Sequence, residues 1–310
     1  MPPGKRAERG ATANEDVPNS KKVDDGAKGK VASTATKNCD HFVGLPKGYE
    51  YDQQADVEQG KGSMYNPTYS GTPAKTWPFV LDPFQQKSCA VLERRESVMV
   101  AAHTSAGKTV IAEYAVSMCL REHQRAIYTS PLKALSNQKY REFSTEFGAD
   151  DVGLMTGDVT LNIDANCIIM TTEVLRSMLY RGSETVREVG WIIFDEVHYM
   201  RDRERGVVWE ESIVLISSLL PGAKMVFLSA TLSNAEEFSR WVAYLTRSPC
   251  HVITTDHRPT PLQHYAFPQG GSGVYLVCDG KTFRPDNFQK AVAAFADKKG
   301  GDKSTPGGKK

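Results

Sequence analysis

Short runs of consecutive apolar residues alternate along this chain with longer stretches in which apolar residues recur every three or four positions. Residues 98–102 (VMVAA), 126–130 (AIYTS), 152–155 (VGLM), 167–170 (CIIM), 191–194 (WIIF) and 224–228 (KMVFL) are short and nearly free of charge. That is the signature of strands buried on both faces. Residues 109–121, 134–147, 206–219 and 235–245 carry the helical period. Strands alternating with helices predict an α/β domain: a mainly parallel sheet with helices on both faces. Ligand-binding loops of such a sheet lie at the carboxyl ends of its strands.

The ends of the chain have a different character. Residues 1–37 are rich in Lys, Gly, Ala, Asp, Ser and Thr, and residues 296–310 dissolve into a Lys/Gly tail. Neither can bury enough apolar surface to offset its ordering entropy, so both are expected to be disordered. The pairs Lys5-Arg6 and Lys21-Lys22 suit a solvated tail, or part of a nuclear-import signal. The net charge is +1, so any nucleic-acid site must be a local patch and not a global field. No apolar run reaches membrane-spanning length, and the first 30 residues lack the apolar core of a secretory leader. Six scattered cysteines without a C-x-x-C pair favour a reducing compartment. Cys39 and His41 have no second pair at ligand spacing, so zinc is not expected.

Chemistry enters after the first apolar strand. Ala102-His-Thr-Ser-Ala-Gly-Lys-Thr109 fits the phosphate loop G-x-x-x-x-G-K-[ST] at every fixed position except the first, where Ala stands for Gly. Backbone N–H groups of Thr104, Ser105, Ala106, Gly107, Lys108 and Thr109 would surround the β- and γ-phosphates of ATP. Lys108 would place its ammonium between those phosphates, and the Thr109 hydroxyl would ligate Mg²⁺. His103 is assigned no role.

A second strand, 191–194, runs directly into Asp195-Glu196-Val197-His198. Asp195 would hold Mg²⁺ through its water shell. Glu196 would orient and deprotonate the attacking water. His198 could hydrogen-bond toward a neighbouring loop. Ser229-Ala-Thr231 follows the next apolar strand, where its two hydroxyls could couple His198 or Glu196 to a nucleic-acid loop. Trp209 and Trp241 fall on helical patterns and read as core. Arg201, Arg203 and Arg205 read as a solvated loop.

Phosphate loop, DEVH and SAT, in that order, resemble the first RecA-like domain of superfamily-two helicases of the DExH-box type. Longer stretches (SPLKALSNQKYREF, GLMTGDVT, MTTEVLRSMLYRGSE, FDEVHYMRDRERGVVWEE) are similar to the Ski-like, exosome-associated RNA helicases within that group. The resemblance implies a RecA-like P-loop domain at 76–256, preceded by a family-like lead-in at 38–75 and followed by an exit segment at 257–295. It implies that Gln85 reads adenine and Phe79 packs on it. It implies that Ser130, Pro131, Lys133, Asn137, Gly157, Thr171 and Thr172 line a track for the backbone of single-stranded RNA, blind to sequence. The implied partners are subunits of the nuclear exosome or of the polyadenylation complex, and the implied location is the nucleus.

Nothing after Thr231 resembles the motifs of a second RecA-like domain, which in this family supplies arginines to the γ-phosphate. The 310 residues are therefore expected to bind ATP weakly, to hydrolyse it very poorly and not to unwind a duplex alone. A different class of reading is a non-hydrolysing module that binds RNA or partners. A P-loop kinase or transferase is disfavoured by the order of DEVH and SAT and by the lack of an acceptor motif.

Overall fold

The computed structural model describes residues 39–299 apart from 187, 231, 232, 259, 270–272 and 281. In chain order the elements are β1 (Cys39–Gly44), α1 (Gln53–Glu58), β2 (Gly62–Ser63), β3 (Asn66–Pro67), α2 (Pro83–Glu93) and β4 (Ser97–Ala102). Then come α3 (Thr109–Arg121), β5 (Arg125–Ser130), α4 (Lys133–Phe147), β6 (Val152–Met155), β7 (Thr160–Leu161), β8 (Cys167–Thr171) and α5 (Thr172–Arg181). They are followed by β9 (Val189–Phe194), α6 (Gly206–Leu219), β10 (Lys224–Ser229), α7 (Ala235–Thr246) and β11 (Cys250–Thr255). The last elements are β12 (Gln263–Ala266), β13 (Tyr275–Asp279), β14 (Thr282–Phe283) and α8 (Pro285–Lys299).

Nine strands form one sheet in the order β1-β11-β4-β10-β9-β5-β8-β6-β7. Its strands from β11 to β6 pair in parallel, and the two edges, β1 and β7, are antiparallel. All six apolar runs are strands of this sheet, as the pattern predicts. Period-two alternation splits their side chains between two cores. Val98, Val100, Trp191 and Ile193 face α2, α3 and Phe143 of α4. Met99, Ile192, Phe194 and Phe227 face α5, α6 and α7, where Trp209 is wholly buried. Trp241 packs partly buried against the same cluster, so both tryptophans are core. Phe194 stacks on Phe227 at 5.4 Å, and Phe227 meets Phe238 edge-on at 4.9 Å. Each such buried aromatic contributes about 2–3 kcal/mol by removal from water.

A smaller three-stranded sheet, β12-β13-β14, lies beside α8, whose Asn287 donates to Leu276 O. Helix α8 runs through Lys299, into the stretch assigned to a tail by its composition. Residues 1–37 and 300–310 fall outside the described residues.

Three strands of the large sheet, β1, β7 and β11, are not apparent in the apolar pattern. Strand β11 reads Cys-His-Val-Ile-Thr-Thr, and β1 belongs to the lead-in; they pair from Cys39↔Thr255 to Gly44↔Cys250. Their polar residues make a buried network. His251 is fully buried; its Nε2 lies 2.8 Å from Glu96 Oε2 and its Nδ1 2.9 Å from His41 Nε2. His41 Nδ1 lies 3.1 Å from the carbonyl of Tyr65, which can only accept. His41 Nδ1 therefore donates and its Nε2 accepts from His251. The buried Arg94 donates to Glu96 at 2.7 Å and to Asp56 at 2.6 Å, tying the lead-in to the sheet. Burial alone would raise the Glu96 carboxyl, but hydrogen bonds from His251 and Arg94 outweigh it and hold the pKa below its ordinary value.

Burial and the neighbouring His251 push the His41 pKa down to about 4. Its unfolded value is about 6.5, so the unfolded chain takes up the proton first as pH falls. The stability this group contributes is complete above about 6.5 and is lost between there and about 4. His41→Asn keeps a donor for Tyr65 O and an acceptor for His251. Urea denaturation at pH 7.5 and pH 4.5 should show the wild-type chain losing more stability than His41→Asn across that interval. Equal losses would count against this pattern of protonation.

Candidate functional site

The register of the sheet brings the motifs to one end. Ser229 of β10 pairs with Ala101 of β4, Phe227 with Phe194 of β9, Thr129 of β5 with Phe194, and Ser130 with Thr171 of β8. The phosphate loop, DEVH, the SAT serine and the expected RNA segments therefore leave adjacent strands on the same edge.

The loop after β4 makes a 3-10 turn at Thr104–Ala106 and enters the left-handed region at Gly107, with φ +87. A Cβ there would be strained and would lie 2.8 Å from Gln85 Nε2. Gln85 opens α2, which starts on Pro83 behind Asp82. Its Oε1 accepts from Asp82 N at 2.8 Å, and its Nε2 donates to Gly107 O at 3.0 Å. The glutamine is thus buried and clamped onto the phosphate loop. Phe79 is about half exposed and sits 6.4 Å from the Trp77 ring.

Lys108 is buried and folds back on its own loop, donating to Ala102 O at 2.9 Å and His103 O at 3.2 Å. Burial lowers its pKa, and the charges of Glu196 and Asp195 oppose that shift. The Thr109 hydroxyl accepts from Lys139 Nζ at 3.3 Å.

Strand β9 delivers the acid pair. Asp195 N donates to Thr129 O at 2.9 Å, extending the ladder by one residue. Its Oδ2 accepts from Tyr128 Oη at 2.5 Å and its Oδ1 from Glu196 N at 2.9 Å. Both carboxylate oxygens are thereby oriented. Glu196 then adopts a left-handed backbone, φ 52 and ψ 46. That is uncommon for a residue with a side chain and costs of order 1 kcal/mol or more, so it marks a position held for its side chain. Burial, and then Asp195, raise its pKa, which makes it a stronger base than a free carboxylate. Its Oε2 lies 3.3 Å from His198 Nδ1 without hydrogen-bond geometry. Glu196 Oε2, His198 Nδ1 and Ser229 Oγ are all buried and without a hydrogen-bond partner among the described residues.

Each such orphan costs about 1–3 kcal/mol unless a ligand or water satisfies it. Orphaned oxygens beside a left-handed glycine loop, a buried lysine, a threonine hydroxyl and an oriented carboxylate form a donor set that fits a nucleotide triphosphate with Mg²⁺. Thr231 lies outside the described residues.

The expected RNA residues divide. Pro131, Lys133, Gly157 and Thr171 line one cavity of about 420 Å³, together with Glu173 and Arg205. Lys133 pairs with Asp158 across its rim. Asn137 is exposed. Ser130 is buried, with Oγ 2.7 Å from Ser136 Oγ, so its hydroxyl fastens the start of α4. Thr172 is buried at the start of α5, and its Oγ1 has no partner among the described residues.

Arg201 and Arg203 are exposed, as expected of a solvated loop, and Arg205 departs from that expectation. Arg205 is not simply solvated: its guanidinium donates to Pro131 O at 2.5 Å and pairs with Glu173. Arg201 donates to Ser233 Oγ at 2.9 Å. Arg205 thus joins the segment after DEVH to two of the expected RNA segments. Sequence alone gives no sign of it, because all three contacts span more than 30 positions. Lys139 also escapes a reading of the sequence, although it lies on the face of α4 that buries Ser136 and Phe143. A cation on such a face is the available signal. No group of acidic, cysteine and histidine residues able to hold a metal by itself occurs among the described residues. No described helix is long and apolar enough to cross a membrane.

A family profile for the DEAD/DEAH box helicase matches residues 82–238. The chain is 60% identical to a DExH-box ATP-dependent RNA helicase, DExH10, of Arabidopsis thaliana over 265 residues, 85% of this chain and 26% of that protein. It is 59% identical to the ATP-dependent RNA helicase mtr4 of Schizosaccharomyces pombe over 263 residues, 84% of this chain and 22% of that protein. It is 53% identical to the exosome RNA helicase MTR4 of Homo sapiens over 287 residues, 91% of this chain and 26% of that protein. The chain therefore spans about a quarter of the length of these curated relatives.

Proposed function

The chain belongs to the DEAD/DEAH box helicase family, and from that premise we propose that it is the ATP-binding, RNA-gripping RecA-like domain of an exosome-associated DExH-type RNA helicase. The observation that carries this reading is the buried Glu196 Oε2, without a hydrogen-bond partner among the described residues and placed with Lys108 and Asp195 at the same edge of the sheet. ATP with Mg²⁺ supplies the phosphoryl group and the charge that neutralises it. Thr109 and Asp195 are the groups that would hold the ion, the latter through water and with its orientation fixed by Tyr128. Lys108 exchanges its two loop carbonyls for phosphate oxygens. Glu196 positions a water and takes its proton, with His198 beside it. Gln85 holds the loop at Gly107; reading adenine requires its amide to exchange that bond, with Phe79 as the platform.

The cavity of Pro131, Lys133, Gly157 and Thr171 receives the sugar–phosphate backbone of single-stranded RNA. Ser130 and Thr172 shape that track from beneath, and Asn137 borders it. Arg205, bonded to Pro131 O and Glu173, joins that track to the segment that follows the acid pair, and Ser229 would couple the two through a bound ligand or water. Following the family resemblance, the partners are the nuclear exosome and its polyadenylation complex, in the nucleus.

Residues 82–238 carry one set of nucleotide motifs, so a polypeptide of these 310 residues should bind ATP–Mg²⁺ yet hydrolyse it very poorly and separate no strands. The test measures nucleotide binding and then hydrolysis, with and without single-stranded RNA, using Glu196→Gln as control. Binding with turnover no greater than the control is the expected result. RNA-stimulated turnover lost in Glu196→Gln would overturn the expectation of poor hydrolysis. Failure to bind nucleotide at all would overturn the site.

A further inference from the structure

Helix α4 turns a narrow face inward, formed by Ser136 and Phe143, both buried. Lys139 lies on that face and its side chain keeps only 16% of its exposure. Its ammonium is shared between two oxygens, Thr109 Oγ1 at 3.3 Å and Glu142 Oε2 at 2.7 Å. The other oxygen of Glu142 accepts from Gln138 at 2.7 Å. Lys139 is close enough to the acid pair to act on Glu196, opposing the rise in its pKa. Tyr128, which donates to Asp195, also feels the charge of Glu142. A second ring of charge therefore stands behind the groups assigned to the metal.

We propose that Lys139 is a displaceable counter-ion of the nucleotide site, with Glu142 as the acceptor that keeps it when it is displaced. The inference rests on the assignment of Thr109 and Asp195 to Mg²⁺. Without the ion, the ammonium engages the Thr109 hydroxyl and offsets the negative charge of Glu196. If the Thr109 hydroxyl held Mg²⁺, the ammonium now bonded to it would stand next to a second, divalent cation. Like charges at such separations repel strongly in a partly buried site. Lys139 therefore leaves Thr109 as the ion enters, and its pair with Glu142 lets it do so without losing every partner. The site exchanges one bound cation for another, so the lysine sets how much Mg²⁺ is needed to charge it.

Two substitutions move that requirement in opposite directions. Lys139→Met keeps the length of the side chain and removes the competing charge. Glu142→Gln removes the acceptor that draws the ammonium away. The measurement is fluorescent-ADP binding titrated with MgCl₂, on chains shown to be folded by thermal melting. The half-saturating Mg²⁺ concentration should fall by roughly fivefold in Lys139→Met, as expected for loss of one partly screened charge. It should rise in Glu142→Gln and stay near wild type in Lys139→Arg. An unchanged or raised Mg²⁺ requirement in folded Lys139→Met overturns the proposal, as does a lowered one in Glu142→Gln. Asp195→Asn separates the two readings. If it removes the Mg²⁺ dependence while Lys139→Met does not alter it, only the counter-ion role fails. If Asp195→Asn leaves the dependence intact, the metal assignment itself fails.

Discussion

Lys108→Ala is expected to lower the affinity for ATP–Mg²⁺ by about a hundredfold or more, with little change in stability. The ammonium is buried and already desolvated, which is why its pKa is lowered. The cost of stripping its water is already offset by two carbonyls, Ala102 O and His103 O. Phosphate oxygens replace neutral acceptors with charged ones. Each charge-assisted hydrogen bond contributes about 1.5–3 kcal/mol, and two of them correspond to roughly 10²–10⁴ in affinity. Without nucleotide the variant loses two hydrogen bonds and one buried charge, effects of opposite sign, so melting should move by only a few degrees. Calorimetric titration of the folded variant with ATP–Mg²⁺ is the measurement. A loss below about fivefold would mean the lysine does not reach the phosphates.

Gly206→Ala is expected to destabilise the domain by about 2–3 kcal/mol, although alanine is the better helix former by about 1 kcal/mol. Gly206 is the first residue of α6, and its N–H donates to Asp202 O at 2.9 Å. A Cβ at 206 would lie 2.2 Å from the carbonyl oxygen of Met200, a backbone atom of the turn that follows Glu196. That turn cannot retreat without moving His198 or Arg205. Either the turn shifts or α6, with the buried Trp209 and Ile213, tilts away from the sheet. For a domain of this size the loss should lower the melting temperature by roughly 5–10 °C and weaken single-stranded RNA binding through Arg205. A variant that melts at or above the wild-type temperature would show that propensity governs here and that the turn yields.

The central strands were legible because burial on both faces leaves a run of apolar residues with no polar interruption. The phosphate-loop and acid-pair motifs stand out because they have fixed residues at fixed spacing next to those runs, and the sheet register brings them to one edge. Strand β11 escaped because its interior position is filled by a histidine, satisfied by Glu96 and His41 from distant segments. Gln85 shows a different limit: the family resemblance implies that it reads adenine, and the structure shows its amide engaged with Gly107 O and Asp82 N. Arg205 and Lys139 look like surface charge in a one-dimensional pattern. What engages them is contact between distant segments, Arg205 with Pro131 O and Glu173 and Lys139 with Thr109, which no local window contains.

The strand order also governs when this site can exist. Strand β4, which leads into the phosphate loop, is flanked by β10 and β11, whose residues come roughly 130 and 150 positions later. A parallel pairing of that span closes a long loop before any contact compensates the lost chain entropy. During synthesis the loop sequence emerges early, yet the strands that shape it arrive only after residue 255 has left the ribosome. Until then β4 has no strand partner on either side, and the frame that holds the loop is incomplete. Nucleotide therefore cannot template the early steps of assembly, and protection of the β4 amides from hydrogen exchange should be among the last to appear in a refolding experiment.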